Sequence, residues 1–414
     1  MPGDRHVTLL ACLLTAAASA GCHGAAIREA MPDGGGGAGA TAGGGGAAGT
    51  SGAAGAAGAG GSRGGAGGRG GAGGGAGASG GSGCAAQMQP TLFWEGQSTP
   101  VSSDGTSTRY YWVEFDPPNF TVRYLLGAPP ANEYKHPFQV EASVAGMFNV
   151  AVSETRVAAT WNDVGEVAVY GADYNSVQIG QTLTLDSQSS VTLSGTMIYY
   201  SHNPTGGSPT PGIYQWMPPA APTLFESFTD LASDATFGQL LRMTQTKLLL
   251  SDHTDVRMVT VSPTRSAAGL LFVNFFGHPV TDVRPARPHD HDGGVLVQLQ
   301  DDILFGRDYY TDVTAPENPP TDLGAATSAL ADASACGAAA HYHGPGVLFG
   351  QRYIYEGQSG LFAVDVSTAG AVSNLVRLTD LPLLRPEVTG AGDLFAVATT
   401  ASSSLYYYYR VGKF

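Results

Sequence analysis

Cysteine is scarce in this 414-residue chain: there are four, and Cys12 and Cys22 both fall in the first 22 residues. Long hydrophobic runs are also missing. Val7 to Ala18 is mostly apolar but well short of the roughly 20 residues a helix needs to cross a bilayer, so no transmembrane span is expected in the mature protein. Positive charge is in short supply. Four Arg and three acidic residues precede Cys84, which leaves 16 basic and 31 acidic residues after it and a net charge of −15. Nucleic acid carries charge of the same sign, so a body this acidic is not expected to bind it, whereas cationic partners and divalent ions are tolerated. No H-E-x-x-H, C-x-x-C or P-loop pattern is present. The one nucleophile-elbow match, Gly77 to Gly81, has no strand or helix signal around it and carries no chemistry.

The first 21 residues read as an export signal, with a weakly positive start at Arg5, the apolar run and the small residues Ser19-Ala20-Gly21. Two cleavage patterns compete. Ala18-Ser19-Ala20 fits release as a soluble secreted protein, while Ala20-Gly21-Cys22 resembles the bacterial lipobox, with Ser19 where that family usually has Leu, Val or Ile. The residues that follow favour lipidation of Cys22. From Gly34 to Gly83, 28 of 50 residues are Gly and the only charges are Arg63 and Arg69. Such a stretch cannot bury enough apolar surface to offset the entropy of ordering it. It is expected to be a disordered tether, about 40 Å from end to end as a flexible coil, and a tether is useful when its near end is fixed. The pattern resembles Gram-negative lipoproteins with Gly-rich spacers. That resemblance implies a lipid anchor in the outer membrane and a head facing the periplasm or the cell surface. The expected organisation is a signal peptide over 1–21, lipidated Cys22 and tether over 22–84, and a head over 85–414.

Cys84 and Cys336 remain in the mature head, and an even pair in an exported protein reads as a disulfide, with two free thiols as the alternative. A bond between them would pin the end of the tether to a late loop.

Helical periodicity is rare in the head. The Ala-rich stretch Thr321 to Ala335 is the one helix expected, as an insertion between strands. Elsewhere short β-branched and aromatic runs alternate with Gly, Pro, Asn and Asp turns. Apolar run plus hairpin recurs from Phe148, Val191, Leu240, Val295 and Val347, at intervals of 43, 49, 55 and 52 residues. Repeats of roughly 40 to 50 residues with about four strands each are the mark of propeller blades. An all-β propeller of six or seven blades is therefore expected, with tandem β-sandwiches as the alternative. Leu394 to Val411 leaves no room for an outer strand, and Thr91 to Phe115 supplies strands before the first repeat, so the two ends are expected to share a blade. "LFAVDVSTAGAV", Leu361 to Val372, resembles a PQQ-type propeller repeat, although Gly370 falls one residue late and the repeat's Trp is missing. Trp94, Trp112, Trp161 and Trp216 are expected in the core, Tyr406 to Tyr409 in a strand, and "SDHTD", Ser251 to Asp255, in a hairpin turn.

The candidate chemistry lies in histidines. "HDHDGGVL" from His289 and "HYHGPGVL" from His341 share H-x-H-x-x-G-V-L. If both precede equivalent strands, His289, His291, His341 and His343 gather on one rim. Residues i and i+2 of an extended segment project to one side, so each pair could offer two imidazoles to a transition-metal ion, with Asp290 or Asp292 in support. The alternative is a shared polar loop with Gly294 and Gly346 serving turn geometry. Two functions follow: a lipid-anchored propeller that binds an unknown protein or glycan ligand or acts as a scaffold, or a metal-dependent enzyme using the four histidines.

Overall fold

The computed structural model describes Cys84 to Phe414 except residues 97, 102–108, 117–118, 127–132, 142–147, 154–155, 162–165, 171–180, 186–189, 205–208, 229–239, 245, 252–254, 262–268, 273–277, 288–292, 301–305 and 400–404. Residues 1–83, with the expected export signal, Cys22 and the Gly-rich stretch, lie outside the described residues, as do His289 and His291.

The described strands form seven four-stranded antiparallel sheets. Six are consecutive in the chain: blade 1 (98–141), blade 2 (148–184), blade 3 (191–227), blade 4 (240–272), blade 5 (280–322) and blade 6 (342–379). The first strand of each adjoins the first strand of the next, from Ser98–Val101 through Phe148–Val152, Val191–Ser194, Leu240–Met243, Val280–Pro285 and Tyr342–Phe349 to Leu384–Val388. Seven separate sheets in succession, each joined to its neighbour through its first strand, make a seven-bladed β-propeller, not a pair of sandwiches.

The seventh blade is composite. Leu384–Val388, Asp393–Thr399 and Tyr406–Lys413 supply three strands, and the outermost is Thr91–Gly96 from the other end of the described chain. Thr91 pairs with Arg410 and Gly96 with Tyr406. The two ends therefore share a sheet, and the last strand is left with no open edge.

Alternation within each strand sends apolar residues into the seams between blades. Val191, Leu193, Tyr200 and Trp216 of blade 3 pack with Ala158 of blade 2. Leu241, Met243, Leu248 and Leu250 of blade 4 pack back on Tyr199 and Ile213. Phe395, Val397 and Tyr408 of blade 7 meet Tyr110, Trp112 and Leu125 of blade 1. Of the four tryptophans, Trp112 and Trp216 are buried and Trp94 is half-buried, while the side chain of Trp161 lies outside the described residues. Tyr406 to Tyr409 form a strand in which Tyr408 alone is fully buried. Ser251 ends one strand of blade 4 and Asp255 precedes the next, so the "SDHTD" stretch does connect a hairpin.

The insertion after blade 5 is a helix, Leu323–Asp332, followed by a short 3-10 turn, Gly337–Ala340. Thr321 and Asp322, expected as its first residues, instead form the outer strand of blade 5. Asp322 then caps the helix by accepting a hydrogen bond from the Ala325 N–H at 2.9 Å. The helix buries Leu323, Thr327 and Ala331 against blades 5 and 6. Cys84 and Cys336 are joined by a disulfide beside it.

Candidate functional site

The first strands of blades 4, 5 and 7 carry charged side chains. Arg242 sits between Leu241 and Met243, both turned toward blade 3, so strand alternation aims it the other way. Its Nη2 lies 3.5 Å from Asp282 Oδ1 on blade 5. Asp282 is buried, also accepts the Val283 N–H at 2.7 Å, and takes Arg284 Nε on its second oxygen at 2.6 Å. Arg284 then donates across the next seam to the Gly346 carbonyl of blade 6 at 2.7 Å. Just beyond the strand, Arg287 donates to Glu387 of blade 7 at 2.5 Å. These cations and carboxylates are paired, which is the condition under which burial of charge is tolerable.

Asp308, in the third strand of blade 5, completes the group. It is fully buried, and its Oδ2 accepts from the Gly346 N–H at 2.6 Å and the Tyr353 hydroxyl at 2.7 Å. Its Oδ1 has no hydrogen-bond partner among the described residues. Burial pushes the Asp308 carboxyl above its ordinary value, against the opposing pull of Arg284 and the two hydrogen bonds. Burial works against the charge of Arg284, yet Asp282 and Asp308 hold its guanidinium above the ordinary value. The hydroxyls of Tyr353 and Tyr342 are pushed well up, first by burial and then by Asp308. Gly346 makes the junction possible because a Cβ there would run into the Ile354 carbonyl and the Tyr353 ring. Gly346 and Gly294 both lie within strands, so close packing accounts for them and the turn geometry expected from sequence does not.

The two histidine stretches do not share a register. Val347 lies in the first strand of blade 6, but Val295 lies in the second strand of blade 5, Gly294–Gln300. The true first strand of blade 5 is Val280–Pro285, and "HDHD" falls after it. His341 and His343 stand at the start of the blade 6 strand. Arg287, the described neighbour of the 288–292 segment, sits beside its far end, donating to the Leu348 carbonyl at 2.9 Å. Six residues of strand separate His343 from Phe349, about 20 Å at the usual rise. The described flanks differ in topology: Gly294 opens the second strand of blade 5, whereas His343 lies at the start of the first strand of blade 6; His289 and His291 themselves lie outside the described residues.

His341 and His343 also have separate partners. His341 Nε2 is 2.7 Å from Asp332 Oδ1 at the end of the helix, and His343 Nε2 is 3.9 Å from Glu356 Oε1 in the second strand of blade 6. Among the described residues no group of three or more His, Cys, Asp or Glu side chains is placed to hold a metal ion. Asp282, Arg284, Asp308 and Tyr353 were not singled out by motif. The period-two alternation of charge in "VTDVRP", Val280 to Pro285, is a signal for Asp282 and Arg284; Asp308 and Tyr353 have none.

No family of known domains and no curated protein matches the sequence. Among solved structures, the chain is similar to the β-propeller domain of Cps50 (Swd1) from Myceliophteria thermophila, at 11% identity and TM-score 0.46, covering 78% of this chain and all of that one. It is also similar to AztD from Citrobacter koseri, at 9% identity and TM-score 0.44, over 76% of this chain and 88% of the other. A prolyl endopeptidase is similar at 13% identity and TM-score 0.44 over 78% of this chain, which spans 51% of that enzyme's chain.

Proposed function

We propose that the protein is a lipid-anchored component of the bacterial cell envelope whose propeller head serves as a binding module or scaffold for a protein or glycan. The observation that supports a framework role is the use of the charged side chains on and just beyond the first strands. Arg242, Asp282, Arg284, Arg287 and Glu387 join one blade to another, which stiffens the ring. Anchoring rests on the sequence ahead of Cys84: the export signal, Cys22 in its lipobox-like setting and the Gly-rich spacer. The described residues contain no helix long and apolar enough to cross a membrane, so attachment in this reading falls to the lipid.

The test is metabolic labelling with a fatty-acid analogue in a Gram-negative host. The natural chain should be labelled and pellet with membranes, and Cys22→Ser should lose the label and appear in the soluble fraction. Persisting label on Cys22→Ser would end the anchor proposal.

A further inference from the structure

We infer that the thirteen residues Cys84 to Gly96 act as a redox-dependent clasp that holds the propeller ring closed. Three separate seams carry the inference. At one end, Cys84 is bonded to Cys336 and both pack into the cluster between blades 5 and 6. Next the backbone runs along the outside of blade 6: the Gln87 N–H donates to the Arg377 carbonyl at 3.2 Å and the Met88 N–H to the Leu378 carbonyl at 2.8 Å. The Met88 side chain enters the cluster between blades 6 and 7, directly over Gly412, where a Cβ would come within 2.5 Å of its sulfur. The chain then becomes the outer strand of blade 7, and Phe93 and Trp94 turn into the cluster between blades 7 and 1. Phe93 sits edge-on to Tyr110, Trp112, Phe395 and Tyr408, at centroid distances of 5.7 to 6.3 Å.

An N-terminal outer strand held only by one partner strand is a fraying end. Here it is fixed on both sides: by chain continuity into blade 1 and by a covalent bond seven residues ahead of Thr91. The bonded cysteines are 252 positions apart in sequence, so blades 1 to 5 and the closing strand all lie inside one covalent loop. Reducing the two sulfurs to thiols takes two electrons and two protons from a dithiol reductant. It would remove the covalent anchor and leave the strap held by its hydrogen bonds to blade 6, its β-pairing in blade 7 and the packing of Met88, Phe93 and Trp94. The inference concerns Cys84 and Cys336 and does not depend on lipidation of Cys22.

The test uses hydrogen exchange by mass spectrometry on the full chain. Samples are the oxidised protein, the same protein in excess reductant, and the Cys84→Ser/Cys336→Ser double variant. Peptides over 85–96 and 406–413 should exchange at least tenfold faster in the last two samples, while peptides over 191–202 and 240–251, in blades 3 and 4, keep their oxidised rates. Equal acceleration across all blades would mean a general loss of stability, and no acceleration at 85–96 would mean that the noncovalent contacts alone close the ring; either overturns the clasp. Met88→Ala, which leaves the disulfide in place, provides a second reading: its 85–96 peptide should loosen further on reduction than it does when oxidised, and an unchanged difference on reduction also counts against the proposal.

Discussion

The seam between blades 7 and 1 and the seam between blades 5 and 6 solve the same problem with different chemistry. The first is aromatic, with the Tyr110 and Phe395 rings stacked at 4.4 Å and Phe93, Trp112 and Tyr408 around them. The second sets a fully buried carboxylate, Asp308, and the guanidinium of Arg284 among the rings of Tyr342, Tyr353 and Tyr355. An aromatic seam draws its strength from area and tolerates small shifts. A polar one is directional, and each donor left without an acceptor is costly. The seam that joins the two chain ends therefore relies on burial, while the seam within the continuous chain relies on registration.

The comparison is broken most severely on the aromatic side. Trp112→Ala should lower stability to unfolding in urea by about 3–5 kcal/mol, the usual cost of emptying a buried aromatic site. On the polar side Asp308→Ala should cost about 2–3 kcal/mol, because the Gly346 N–H and Tyr353 hydroxyl lose their acceptor. The same urea titration at neutral pH ranks the two, and a smaller loss for Trp112→Ala than for Asp308→Ala would reverse the assignment of strength.

A subtler contrast lies in pH. The Asp308 carboxyl is raised in the folded state by burial, so its protonated form is the one the fold favours. Its contribution to stability is full below the unfolded value near 3.8 and is lost as pH rises through the raised folded value. Stability of the natural chain relative to Asp308→Asn should therefore fall as pH is raised from about 4, whereas the same comparison for Trp112→Phe should be flat. A flat Asp308→Asn difference would show that its carboxyl titrates normally. The smallest effect is expected at the surface: Arg307→Ala removes a half-exposed pairing to Asp322 at 3.3 Å and should change stability by less than about 0.5 kcal/mol.

The contrast between seams also explains which parts of the architecture were legible in the sequence. Apolar strands at intervals of about fifty residues announce themselves, and so did the sharing of a blade by the two ends, because Leu394 to Val411 visibly wants an outer partner. The first strands of blades 5 and 7 do not. Val280–Pro285 contains Asp282, Arg284 and a proline, and Leu384–Val388 contains Arg385, a proline and Glu387. Those residues resemble a loop until their partners on the adjoining strands are known. Passing over Val280–Pro285 assigned Val295 the wrong rank within its blade and made "HDHDGGVL" look equivalent to "HYHGPGVL". Asp308 was invisible for a related reason: one carboxylate in "GRDYYTD" carries no sign that it will face a glycine 38 residues away.

The composite blade also constrains the order of assembly. Its outer strand, Thr91–Gly96, is made before blades 1 to 6 and its partner, Tyr406–Lys413, only after them. Pairings this distant in sequence form slowly because a large loop must close first. Six blades can collapse as they emerge, but the circle stays incomplete until Tyr406–Lys413 arrives, so a chain without that strand would carry an unsealed edge on Thr91–Gly96.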